Sequence, residues 1–169
     1  QDVMPDVPGP EGLLNQQELA VTMRDKVPAK MLEKFMADSP IEMRLVNPVH
    51  PIAPNTTEAK GYVWLRANGQ VPSDHSIQEY LLAYASDFNF LATATQPHGV
   101  SFLTPGMRMA TIDHAMWFHR PFNMGEWLLY CIDSPNAGGG RGFVKGQFFD
   151  QQGRLVASAT QEGLIRMTK

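Results

Sequence analysis

The sequence predicts an α+β domain in which an antiparallel sheet packs against one long helix, and three observations carry that expectation. Residues 76 to about 91 place apolar side chains at helical spacing over the longest helical stretch in the chain. Strand-like segments follow at about 109–118, 127–133, 142–149 and 155–167. Asp150-Gln151-Gln152-Gly153, between the last two, reads as a hairpin turn and makes them antiparallel. A helix stripe and a sheet face each need a partner surface, and laying one on the other supplies it. The same string suits a sheet wrapped around the helix or a flatter sandwich.

The elements follow in order. Residues 1–12 are rich in Pro, Gly and acid, a linker composition. Helical stretches are expected at 15–24 and, after Pro28, up to Ala37, with Asp38-Ser39-Pro40 as the stop. We therefore expect a connector over 1–40 and a folded domain over 41–169. Residues 41–46 and 60–67 read as strands, separated by a loop with three prolines and closed at Asn68-Gly69. Ser73 and Asp74 are candidate caps for the long helix, whose expected stripe is Ile77, Leu81, Tyr84, Ala85, Phe88 and Leu91.

The whole chain sets limits. Its 169 residues have the length of one domain, and 43% apolar with 18% charged residues suit a packed core. A net charge of -3 gives no reason to expect nucleic acid, and a phosphate-bearing substrate would need a local basic patch. The single cysteine, Cys131, cannot form an internal disulfide, which points to a reducing compartment. Its neighbours Tyr130 and Ile132 suggest a strand interior, where a structural thiol is the simpler reading than a nucleophile. No run of about 18 apolar residues predicts a membrane span. The start, Gln1-Asp2-Val3-Met4-Pro5, has neither the basic end nor the apolar stretch of a signal peptide, and we expect the chain to be a fragment of a longer protein.

Three polar residues occupy positions where apolar ones are expected. Asp87 lies seven residues after Tyr80 and four before Leu91, which puts it at the border of the helix stripe, while Gln78, Glu79, Ser86 and Asn89 fall on the other side. Carboxylates at such borders lose hydration and become candidate general bases; an ordinary flank carboxylate held by an Arg or a backbone N–H is the alternative. In the last strand, Leu155, Ala157, Ala159, Gln161, Gly163 and Ile165 share one face, and Gln161 is its only long polar side chain. A buried amide left without hydrogen bonds costs about 1–3 kcal/mol, so Gln161 needs partners, either in a site or in tying down a loop. Thr111 is an ordinary strand residue and carries no signal alone. Together, a carboxylate can take a proton from water while a hydroxyl and an amide hold that water. That suits thioester hydrolysis, where the thiolate leaves readily.

These residues sit in longer motifs. Tyr84-Ala85-Ser86-Asp87-Phe88-Asn89-Phe90-Leu91, Gln96-Pro97-His98-Gly99, the run from Ala110 to Pro121 and Gln161-Glu162-Gly163 resemble the second repeat of type II acyl-CoA thioesterases, a bacterial double hot-dog family. The likeness runs from about residue 40 to 166, and the earlier residues resemble the connector between repeats. The resemblance implies a hot-dog fold, with the sheet wrapped around a central helix, and hydrolysis of acyl-CoA to fatty acid and CoA. It implies Asp87, Thr111 and Gln161 as the catalytic residues, no metal and no cofactor. It also implies an N-terminal hot-dog repeat as partner, a homo-oligomer and a bacterial cytoplasmic location; Met167-Thr168-Lys169 is not a peroxisomal address. A non-catalytic acyl-CoA-binding or assembly half, dependent on the missing repeat, is the alternative.

Other candidates are weaker. His114 and His119 have odd spacing, which puts them on opposite strand faces and speaks against a shared metal. Asp113, two residues after Thr111, is expected on the same face as a rival carboxylate. Arg120 is expected in an ion pair or near substrate. Gly140 and Arg141 belong to a glycine-rich segment, 136–142, that could approach CoA phosphates or form a plain hairpin. A hot-dog dehydratase would need a helix His, and residues 76–91 contain none.

Overall fold

A computed structural model describes residues 2–168. The strands are β1 (Ile41–Leu45), β2 (Lys60–Ala67), β3 (Met107–Phe118), β4 (Leu128–Gly138), β5 (Arg141–Phe149) and β6 (Leu155–Met167). They form one antiparallel sheet in the order β1-β2-β4-β5-β6-β3. The expected strands are all present; β4 continues five residues past residue 133 because its pairing with β5 resumes after a register shift. The 136–142 segment is a hairpin. Gly139 and Gly140, with φ of 61° and 77°, make the two-residue turn, a backbone shape that disfavours any side chain.

The long helix is shorter than expected and is followed by a break. Helix α3 covers His75–Ser86, and a separate turn, α4, covers Phe90–Thr93. Asp74 caps α3 by accepting the Ser76 N–H at 2.8 Å. Asn89 takes a left-handed conformation, φ 61°, and this breaks the helical path; among non-glycine residues Asn tolerates that region best. Asp87 is thus the C-terminal cap of α3 and not an interior residue.

The expected stripe is also corrected. The buried residues of α3 are Gln78, Leu82, Ala85 and Ser86, whereas Ile77, Tyr80 and Tyr84 are exposed. Polar side chains can be buried there because they are satisfied. Gln78 donates to Pro72 O at 2.7 Å and accepts the Met124 N–H at 2.6 Å, and Tyr130 donates to Ser86 O at 2.8 Å. Around them Val63, Leu65, Leu82, Phe90, Leu128, Tyr130, Val144 and Phe148 form the main core between helix and sheet.

The other sheet face is covered by the connector. Trp64, Trp127, Leu129 and Phe149 form a second apolar cluster, against which Met4, Val7 and Leu13 pack. Trp64 Nε1 donates to Pro8 O at 2.8 Å. Helices α1 (Gln16–Thr22) and α2 (Ala29–Met36) continue past the β1 edge, and Asn15 closes a capping box with Glu18. Linker-like composition here describes an extended segment seated on the sheet. Beside it, Glu42 joins Arg44 and Arg66, both of which lie over the Trp127 ring. Burial works to raise the Glu42 carboxyl, but hydrogen bonds and charge from the two arginines outweigh it and hold the group below its ordinary range.

Candidate active site

The site begins with an irregularity in β3. Thr111 pairs with Gly163, but Asp113 pairs with Glu162, so Ile112 is an extra residue and β3 bulges. Beyond the bulge the alternation is reversed. His114, opposite Gln161, faces inward with Thr111, and Asp113 faces outward, where it accepts the Glu162 N–H at 2.9 Å. Asp113 is therefore not on the face of Thr111, contrary to simple alternation, and is no rival carboxylate. His114 and His119 do face opposite sides: His114 meets Gln161, while His119 meets Ser158 at 2.9 Å.

Gln161 is fully buried on the inner face, as the alternation of β6 predicts. Its Nε2 donates to Thr111 Oγ1 at 3.0 Å, and Thr111 Oγ1 donates to Asp87 Oδ1 at 3.3 Å. The structure thus brings Asp87, Thr111 and Gln161 into one hydrogen-bonded chain. Its two ends differ: Gln161 is sealed in the core, and Asp87 is exposed. Asp87 also sits at a helix C-terminus, where the helix dipole disfavours a negative charge, and it forms no ion pair among the described residues. Burial pushes the Tyr130 phenol well above its ordinary range, and the negative charge of Asp87 adds to the shift.

Two further members were not assigned roles from the sequence. His114 Nδ1 lies 2.5 Å from Gln161 Oε1, and His114 Nε2 lies 2.8 Å from Ser86 Oγ. The available signal was the unmet need of Gln161: a buried amide has two ends to satisfy, and Thr111 meets only one. Small residues make room for this layer. A Cβ on Gly163 would stand 2.3 Å from Leu91 Cδ2, and one on Gly146 would stand 2.4 Å from the Tyr130 ring.

The basic candidates lie elsewhere. Arg120, past the far end of β3, donates to Leu155 O at 2.5 Å. Arg141 pairs with Glu162 at 3.2 Å on the outer face, and Gly140 lies in the adjoining turn. An apolar cavity of about 380 Å³ opens between α1, β1, β2 and α4, lined by residues including Leu19, Met43, Val63, Ala92 and Ile132. None of Asp87, Thr111 and Gln161 lines it, so the polar chain defines the candidate site and the cavity does not.

Such a chain, a buried amide and a hydroxyl ending on an open carboxylate, suits holding and deprotonating a water. A model of the acyl-CoA thioesterase family matches residues 31–164. Acyl-CoA thioesterase 2 of Haemophilus influenzae is 43% identical over 169 residues, covering 100% of this chain and 59% of that protein. Human acyl-coenzyme A thioesterase 8 is 37% identical over 175 residues, covering 97% and 53%. The crystal structure of acyl-CoA thioesterase II TesB2 from Mycobacterium marinum is similar, with a TM-score of 0.70 and 34% identity, over 100% of this chain and 57% of that one. A hot-dog protein from Alicyclobacillus acidocaldarius, with a TM-score of 0.68 and 20% identity, matches in fold. The chain spans little more than half the length of these relatives. With a family model over most of its length and a hot-dog sheet and helix, the chain belongs to the acyl-CoA thioesterase family.

Proposed function

We propose that the protein hydrolyses acyl-CoA thioesters, with Asp87 as general base and Thr111 and Gln161 holding the attacking water. The observation that carries this reading is the hydrogen-bonded chain from buried Gln161 through Thr111 to exposed Asp87. Asp87 takes a proton from water as the water oxygen bonds to the thioester carbonyl carbon. The tetrahedral adduct then expels the CoA thiolate, which recovers the proton, leaving the fatty acid. The leaving thiolate needs little help, so a base and a positioned water supply most of what the reaction requires. No cofactor enters these steps. Arg120 and Arg141 stand at opposite ends of β6, so each is a separate candidate for a CoA phosphate: Arg120 by its exposed guanidinium beside Leu155, and Arg141 by exchanging Glu162 for a phosphate next to the open Gly140 backbone.

The working enzyme on this reading is larger than this chain. Ile77, Tyr80 and Tyr84 on the outer side of α3, and Ile112, Trp117 and Phe118 on the edge strand β3, are exposed apolar side chains, of which Tyr84 and Ile112 lie close in sequence to Asp87 and Thr111. An N-terminal hot-dog repeat would cover them and enclose the site, and further copies would form a homo-oligomer in the cytoplasm. The same exposure favours the second reading, in which this half alone binds acyl-CoA and does not turn it over. Hydrolysis of a medium-chain acyl-CoA, followed by free-thiol detection, separates them. Thiol release by the two-repeat protein and not by this chain means the half is incomplete; no release by the two-repeat protein overturns the thioesterase reading.

A further inference from the structure

We propose that His114, carrying a proton on Nδ1, is a positioning residue that orients the Gln161 amide and so sets the direction of the hydrogen bonds ending on Asp87. The inference rests on the reading of Asp87 as base.

The argument is one of donors and acceptors. Gln161 is fully buried, so both ends of its amide need partners. Its NH2 group donates to Thr111 Oγ1 at 3.0 Å. Its carbonyl oxygen can only accept, and it lies 2.5 Å from His114 Nδ1. Nδ1 must therefore bear a hydrogen. The other ring nitrogen does not alter this. Ser86 Oγ lies 2.8 Å from both His114 Nε2 and Ala83 O, and it has one hydrogen to give. Either Ser86 donates to Nε2 of a neutral ring, or it donates to Ala83 O and receives the Nε2–H of an imidazolium. Both arrangements keep the hydrogen on Nδ1.

The ring is held in place to do this. His114 is half-buried, and Phe90 meets it edge-on at 5.7 Å between centroids. Tyr130, whose phenol burial keeps neutral, donates to Ser86 O and fixes that residue from below. If Nδ1 lost its hydrogen, the amide would turn over and present its carbonyl to Thr111. The Thr111 hydroxyl would then face two acceptors, Gln161 and Asp87, with one hydrogen. As observed, one of its two lone pairs takes the Gln161 N–H and its own hydrogen goes to Asp87, which leaves the second lone pair for the water. His114 touches neither Asp87 nor the place of the water; it acts through Gln161.

The test uses the two-repeat protein. His114→Phe keeps a ring and removes both nitrogens; His114→Asn returns an N–H at the δ position. His114→Phe is expected to lower kcat by roughly 10- to 100-fold with KM changed less than about twofold, and His114→Asn to recover most of the loss. Nitrogen-15 NMR of the unmodified protein is expected to show His114 protonated on Nδ1. Unchanged kcat in His114→Phe, an Asn variant no better than Phe, or a bare Nδ1 overturns the proposal. The NMR arm stands even where a variant fails to fold. Asp87→Asn measured in parallel separates the two ideas: full activity there removes the base reading, while a collapse there with an active His114→Phe removes only the role of His114.

Discussion

Thr111 and His114 lie three residues apart on one strand, yet both face the sheet interior, because Ile112 is an extra residue between the pairs Thr111–Gly163 and Asp113–Glu162. Regular alternation would turn one of them outward. Removing Ile112 should therefore separate the two ends of the Gln161 amide from their partners. We expect the deletion to reduce thioester hydrolysis by roughly 100-fold or more in the two-repeat protein. β3 is an edge strand, so circular dichroism and a melting curve should still report a folded sheet. Full activity in the deletion variant would show that the bulge does not build the site.

Asp87 and Asp113 make a paired experiment. Asp87 is exposed and receives the Thr111 hydroxyl, whereas Asp113 faces away and is occupied by the Glu162 N–H. Asp87→Asn should lower kcat by roughly 100-fold or more, and Asp113→Asn by less than about threefold. A reversed outcome would move the base to Asp113.

Gly163 connects the fold to the site. It lies opposite Thr111, and Leu91 of α4 fills the space a side chain would need. Gly163→Ala must push Leu91 away, and with it the turn that carries Asp87. A loss of about 1–3 kcal/mol in a denaturant titration is expected, together with reduced kcat. Gly153, in the exposed hairpin between β5 and β6, provides a contrast: its φ of 75° makes Ala strained there, but no packed side chain has to move. Gly153→Ala should lower stability without a comparable loss of kcat.

These residues show which levels of the structure can be read from sequence. Alternation in β6 marked Gln161 because a regular strand obeys a period of two, and its same-face neighbours Ala157, Ala159 and Gly163 are buried with it. The same rule misplaced Asp113, since a bulge is a pairing event between two strands far apart in sequence, and nothing in Thr111-Ile112-Asp113 announces it. The helix stripe failed differently. Periodicity assumes that polar side chains face water, but Gln78 and Ser86 are buried with their hydrogen bonds met by Pro72, Met124 and His114, while Tyr80 and Tyr84 are left outside. Asp87 entered the reading as a stripe-border residue and leaves it as a helix cap, with the same side chain available for a different structural reason.

Cys131 offers a test of the sheet independent of catalysis. It lies in β4 between Tyr62 and Gln147 of the neighbouring strands, packed against the Trp64 cluster. Burial pushes its thiol up to about 12. The thiolate is the reactive form, so at pH 8 the native protein should hold almost none of it, and alkylation by iodoacetamide should be far slower than in the unfolded chain. The sign follows from the direction of the shift. Below the unfolded value of about 8.5 both states keep the hydrogen; above it the unfolded thiol ionises and the folded one does not, so folding stability falls as pH rises toward about 12. Labelling in native buffer at pH 8 as fast as in denaturant would show that the outer cluster is open, and that the connector residues Met4, Val7 and Leu13 do not cover the sheet as described.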